Sequence, residues 1–154
     1  MTSAAKEPGV AIRTPEPRDY ARIADLAGQL GYKSTESEIA RRMAGMQASA
    51  DHAVFVAETA ERDVAGWIGV FVWRGVESEA RVEISGLVVD EKARSLGIGR
   101  RLLERAEQWA REKGCAVIGL RSNVIRDRAH AFYERLGYEH IKTQKAFRKG
   151  LEPE

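Results

Sequence analysis

The chain has 154 residues, 44% of them hydrophobic and 31% charged, the balance of one soluble globular domain and too short for two ordinary ones. Lysine and arginine exceed aspartate and glutamate by only 25 − 23 = 2, which argues against a general nucleic-acid binder, since that needs clustered basic charge; Arg94, Arg100, Arg101 and Arg105 fall close enough for a local basic patch. Cys115 is the only cysteine, so neither an intramolecular disulfide nor a Cys-based zinc site can form. His52, His130 and His140 lack metal-binding spacing, and no apolar run has the length of a signal peptide or a membrane span. The expectation is a cytoplasmic protein with no metal and no membrane partner.

Residues 1–9 read as a flexible tail and 151–154 as another, leaving a single domain over 10–150. Val10 to Thr14 reads as a short strand, ended by Pro15 and Pro17. Tyr20, Ile23, Leu26, Ala27 and Leu30 recur with a helical period over 18–30, and Gly31 is the stop. A second helix starts at Thr35 or Ser37, with Glu38 placed to close a capping box on Thr35, and carries Ile39, Met43 and Met46 on one side.

Residues 52–59 and 64–73 are β-branched and aromatic runs around a polar turn, hence a predicted hairpin, and 81–89 is a third strand. The strongest amphipathic pattern follows: Ile98, Leu102, Ala106 and Trp109 share a face opposite Arg101, Glu104, Arg105, Gln108 and Arg111, ending at Gly114. Cys115 to Arg121 reads as a strand. A helix capped near Asp127 carries Ala129, Phe132, Tyr133 and Leu136 and stops at Gly137. Residues 138–141 and 143–147 read as last strands. The order β-α-α-β-β-β-α-β-α-β-β predicts an α/β layer fold, its mixed sheet parallel where the Ile98 helix crosses and flanked by about four helices.

Between the strand ending at Val89 and the helix at Ile98 lies a candidate anion site. A helix start offers unbonded N–H groups and partial positive charge. Gly97 and Gly99 let main chain approach a ligand, and Arg94 adds a charged donor. A Walker loop would require Gly-Lys-Ser/Thr, which is absent. A dinucleotide fingerprint would require a third small residue, yet Gly97-Ile98-Gly99 continues as Arg100-Arg101-Leu102. A plain glycine turn is the bland alternative.

The string Arg94-Ser95-Leu96-Gly97-Ile98-Gly99 after Leu87-Val88-Val89 is Arg-x-x-Gly-x-Gly, and resembles the acyl-CoA signature of the GNAT N-acetyltransferase superfamily. Asn123 followed by Ala129-His130-Ala131-Phe132-Tyr133 and Gly137-Tyr138 resembles that family's second segment. The likeness spans most of the chain from Val10. Ser95 departs from it, since the family often has glycine there.

The resemblance implies a GNAT-like acyl-CoA N-acyltransferase fold whose sheet splays open between 81–89 and 115–121 to admit acetyl-CoA. It implies main-chain contacts from Leu87, Val88 and Val89, pyrophosphate contacts from Arg94, Ser95, Leu96, Gly97, Ile98, Gly99 and Arg100, and a polar contact from Asn123 to the pantetheine or to the next helix. It implies an amine acceptor that attacks the thioester directly. Tyr133 matches the tyrosine that protonates the departing thiolate, with core packing as its alternative. Glu83 matches a glutamate that takes the amine's proton. Simple alternation sets Glu83 with Ser85, Leu87 and Val89, where desolvation would raise its proton affinity; a salt bridge with Arg81 or a cross-strand cation is the competing reading.

His130 reads mainly as a solvated helix residue and Cys115 as a buried structural thiol. Tyr32, Trp73, His140 and Lys142 are loose acceptor-pocket candidates, and no acidic cluster points to polyamines. Partners to expect are acetyl-CoA and a small amine, without nucleic acid or membrane; dimers are common in the family, so the resemblance admits a homodimer. A CoA-binding module without catalysis, a different acyl donor and a protein acceptor are the rival functions.

Overall fold

The structure, a computed structural model, describes residues 9–153, the side chain of Ser95 excepted, so most of the predicted N-terminal tail (1–8) and Glu154 lie outside the described residues. The chain divides into two compact units, one up to Leu120 and one from Arg121 onward. Among the described residues no helix is long and apolar enough to cross a membrane.

The first unit is a five-stranded mixed sheet in the order β1 (Ala11–Arg13), β2 (His52–Glu58), β3 (Val64–Trp73), β4 (Arg81–Val89) and β5 (Ile118–Leu120). The first four pair antiparallel in chain order, and β5 joins β4 in parallel. A parallel neighbour needs a crossover, which α3 (Ile98–Glu112) supplies. The predicted α/β class with a mixed sheet is observed.

Each face of the sheet is covered because each helix has one apolar stripe. Helix α1 (Tyr20–Gln29) buries Tyr20, Ile23 and Leu26, and α2 (Glu36–Gln47) buries Ile39 and Met43, against Val56 and Val88 of the sheet. The predicted capping box forms: Glu38 N–H donates to Thr35 Oγ1 at 3.1 Å, and Thr35 N–H to Glu38 Oε1 at 3.0 Å. Helix α3 buries Ile98, Leu102, Leu103, Ala106, Trp109 and Ala110 on the opposite face, the set its sequence periodicity marked.

One buried charge cluster ties the entry of α1 to the sheet. Asp19 is 4% exposed, and accepts from Arg13 Nη1 at 2.7 Å, Arg13 Nη2 at 2.9 Å and Glu16 N–H at 2.7 Å. The Arg13 guanidinium holds the Asp19 carboxyl below its ordinary range.

The second unit contains α4 (Asp127–Arg135), and residues 136–153 form neither helix nor strand. This corrects the strands predicted over 138–141 and 143–147. Their apolar members find no buried face: Ile141 is 81% and Phe147 90% exposed, so nothing rewards a ladder there, and β propensity is mostly such burial. The strand predicted from Cys115 to Arg121 is likewise reduced to Ile118–Leu120.

Candidate functional site

The pairing of β4 sets up the site. Its parallel contact with β5 covers only Val82↔Ile118, Glu83↔Gly119 and Ile84↔Leu120, while β4 runs on to Val89. Beyond Ile84, no strand among the described residues pairs with that edge. Asp90 N–H donates to Ala65 O of the β3 side at 2.7 Å. By alternation Val88 also turns its main-chain groups toward β3, and Leu87 and Val89 turn theirs to the open edge.

Against β3, Gly69 pairs with Gly86 but Val70 pairs with Ile84, leaving Ser85 as the extra residue of a β-bulge. The bulge overturns the simple alternation expected for β4. Ile84 shares the α3 face with Leu87 and Val89; Glu83 shares the other face with Ser85, Gly86 and Val88. The signal was present in the sequence, since an isolated glycine inside a strand, here Gly69 and Gly86, marks bulges and close approaches. A Cβ on Gly69 would come within 2.7 Å of Ser85 Oγ, and one on Gly86 within 2.9 Å of the Trp67 ring.

The predicted phosphate loop is more ordered than a loop. Asp90 Oδ1 accepts from Lys92 N–H at 3.2 Å and starts a 3-10 helix over Glu91–Leu96. Gly97 then turns with φ 71°, the left-handed region that suits glycine, and the space where its Cβ would sit is open. Helix α3 begins at Ile98 with no side-chain cap on its first turn. Arg94 and Arg100 flank this start with half or more of their side chains exposed, each near an acid on its own helix: Glu91 at 4.0 Å and Glu104 at 3.0 Å. An uncapped helix start, an open glycine and two exposed guanidinium groups fit a diphosphate such as that of coenzyme A. The Ser95 side chain lies outside the described residues.

Sequence reading missed what anchors this loop. Arg22 of α1 donates Nη2 to Asp90 Oδ2 at 2.5 Å and Nε to Val64 O at 2.9 Å. Gln29 of the same helix donates to Asp90 Oδ1 at 3.4 Å and accepts from Glu91 N–H at 3.3 Å. The Lys92 N–H, then Arg22 and Gln29, hold the Asp90 carboxyl below its ordinary range, so it is anionic at neutral pH. Asp90→Asn keeps the shape and weakens the charge-assisted bond to Arg22. The expected result is a KM for acetyl-CoA raised roughly 3- to 10-fold with kcat nearly unchanged. Steady-state kinetics check it, and an equal fall in kcat would make Asp90 part of the chemistry instead.

Glu83 lies in a row across the sheet, His52↔Phe71↔Glu83↔Gly119. Its carboxylate passes 3.5 Å from where a Cβ on Gly119 would be. The ion pair weighed against a base role is formed: Arg81 Nε donates to Glu83 Oε1 at 2.7 Å. Trp73, a loose pocket candidate from sequence, stacks on Arg81 on this same face, the guanidinium carbon 3.8 Å from the ring centroid. Tyr32, 73% exposed, follows α1, and Cys115 is half-buried, its N–H bonded to Ala110 O just past α3.

In the second unit Asn123 organises the entry to α4. Its Oδ1 accepts from Ile125 N–H at 3.2 Å, and its main-chain oxygen lies 2.9 Å from His130 Nε2. Asn123 thereby joins the turn before α4 to His130 within that helix. Tyr133 sits edge-on to Phe132 and Tyr138, ring centroids 5.4 and 6.0 Å away. Burial pushes its phenol above the ordinary pKa of 10, with the Arg126 charge acting weakly the other way. No hydrogen bond to that hydroxyl is formed among the described residues. His140 Nε2 lies 3.1 Å from Thr143 Oγ1, and Lys142 is exposed.

A family model described as acetyltransferase (GNAT) matches residues 20–138. The chain is 30% identical over 146 residues to an aminoglycoside N(6')-acetyltransferase type 1 of Stenotrophomonas maltophilia, covering 92% of this chain and 94% of that protein. Among solved structures, an aminoglycoside 6'-N-acetyltransferase of Acinetobacter baumannii superposes with TM-score 0.80 at 17% identity, over 94% of this chain and 100% of that one. Another aminoglycoside N-acetyltransferase, solved in complex with CoA, has TM-score 0.79 at 19% identity, over 91% of this chain and 94% of that one. At these identities the two structures speak for the fold.

Proposed function

Because the chain belongs to the acetyltransferase (GNAT) family and is an acetyl-CoA-dependent N-acetyltransferase, we propose that it acetylates the primary amine of a small molecule by direct attack in a ternary complex. One observation carries the reading: the edge of β4 left unpaired at Leu87 and Val89 is followed, after the 3-10 turn over Glu91–Leu96, by the uncapped start of α3. A linear ligand with an amide-bearing arm and a diphosphate matches that sequence of groups. Acetyl-CoA supplies the activated acetyl group.

The residues divide the work. Leu87 and Val89 bond the pantetheine arm through their main chain, with Val88 packing behind them. The pyrophosphate is held at Gly97, Ile98, Gly99 and Arg100, and Arg94 adds charge beside Leu96 and Ser95. Glu83 accepts the proton that the amine loses, directly or through water, while Arg81 fixes the carboxylate. Tyr133 hands its phenolic proton to the departing thiolate and regains one from solvent afterwards; burial ensures that the phenol is protonated at neutral pH. Asn123 positions α4 and adds a polar contact to the pantetheine. The catalytic domain so proposed spans residues 10–150.

The test is thiol release from acetyl-CoA with a broad amine panel, with the product identified by mass. Amine-dependent release and an N-acetylated product are expected. Acetyl-CoA binding with no amine-dependent release would favour a binding module, in which Glu83 and Tyr133 are dispensable.

A further inference from the structure

Arg81 opens β4 two residues before Glu83, on the same face of the sheet. Its guanidinium is held from two sides. Below it lies the Trp73 ring, whose own place is fixed by Gly75: a Cβ there would fall 2.0 Å from the ring. Beside it, Nε is committed to Glu83 Oε1 at 2.7 Å. Both terminal amino groups have no partner among the described residues, and the side chain is 27% exposed. A guanidinium stacked and tethered in this way has already lost its rotamer freedom. It presents a rigid two-pronged donor of the kind that binds an oxyanion bidentately.

The other charges nearby do not change this sign. Asp51 is engaged by Arg74 Nε at 3.2 Å. His52 stacks on Phe71, ring centroids 5.9 Å apart. Glu77 and Glu79 are exposed in the turn between β3 and β4. On the face itself Glu83, the carboxylate of this strand, is matched by Arg81. The pair has an order: Glu83 is nearer the end of the β5 pairing, and the main chain of Arg81 is roughly 7 Å further out along the strand, its guanidinium reaching back to touch the carboxylate with the terminal amino groups beyond it.

We propose that the acceptor is a small amine carrying its own oxyanion, a carboxylate or phosphonate, with the amine at Glu83 and the anion on Arg81. This rests on the function proposed above and names the substrate class of that site. A polycationic acceptor would meet Arg81 as a like charge, with the Glu83 carboxylate beside it already paired.

The experiment compares matched pairs that differ only in the anion: ω-amino acids of increasing length against their amides, and 2-aminoethylphosphonate against its diethyl ester, with spermidine and kanamycin as polycations. The acid is expected to exceed its neutral partner in kcat/KM by roughly 10- to 100-fold, the worth of a charge-assisted bond pair. Arg81→Gln should abolish that ratio. A mere disturbance of Glu83 would lower both members equally and leave the ratio intact. Gly75→Ala, which removes neither charge, should shrink the ratio by displacing Trp73, and serves if Arg81→Gln does not fold. The carboxylate and phosphonate arms decide between the two anions. Turnover of polycations with none of the anionic amines, or a preference that survives Arg81→Gln, overturns the inference and leaves the proposed function standing. No amine-dependent thiol release across the whole panel overturns both.

Discussion

Tyr133→Phe is expected to lower kcat about 100-fold or more, the usual size of a lost general acid, while the affinity for acetyl-CoA stays within about twofold. The substitution removes one oxygen and keeps the ring that meets Phe132 and Tyr138 edge-on. Packing in the second unit is therefore retained, and a fall in kcat reports the proton alone. Burial raises the phenol's pKa above 10, so the neutral donor is the form present throughout the working pH range. The wild-type rate should show no alkaline limb from this group below pH 10.

The same shift has a sign in stability. The folded state keeps the Tyr133 proton to higher pH than the unfolded chain, so the contribution is complete below the unfolded pKa and is lost as pH rises through the folded one. Chemical denaturation at alkaline pH should show that loss in the wild type and not in the phenylalanine variant. An unchanged kcat in Tyr133→Phe would take the residue out of the proton path and leave it as a packing aromatic.

What could be read in advance depends on how local its cause is. Helix α3 was legible because Ile98, Leu102, Ala106 and Trp109 recur at the helical period, and each is buried. The start of α2 was legible because Thr35 and Glu38 need only each other. The phosphate loop was legible as chemistry, although its 3-10 turn depends on an aspartate cap at Asp90, whose role shows only once the turn is formed. The facing of β4 was not legible. A bulge is a property of a pair of strands, and it moved Leu87 and Val89 to the face opposite Glu83. The anchor of Arg22 on Asp90 spans 68 positions of sequence, and no local pattern announces it. The strands predicted over 138–147 failed for the converse reason. Their residue types favour strand, but with Ile141 and Phe147 exposed propensity found no surface to fit.

Leu102→Ala is expected to cost about 2–5 kcal/mol, the range for truncating a fully buried leucine, and to lower Tm by roughly 5–15 °C for a chain of this size. Leu102 is 0% exposed and sits one turn into α3 beside Ile98, also 0% exposed. Both pack on Gly66 of β3, where a Cβ would come 3.2 Å from Leu102 Cδ1, 3.2 Å from Ile98 Cγ2 and 2.8 Å from the main-chain oxygen of Val88. The glycine thus lets the helix start lie close against β3, the neighbour of the strand that continues into the phosphate loop. Loosening that contact should raise the KM for acetyl-CoA several-fold, although Leu102 is not itself one of the residues proposed to hold it. Refilling the cavity from the sheet side should fail. In a Gly66→Ala, Leu102→Ala double variant the new methyl still collides with Val88 O and crowds Ile98, so only one of three conflicts is relieved. The double variant is expected to be less stable than Leu102→Ala alone. Thermal melts of the three variants decide it: recovery of Tm in the double variant would mean that the backbone of β4 yields, and that Gly66 is not what seats the helix.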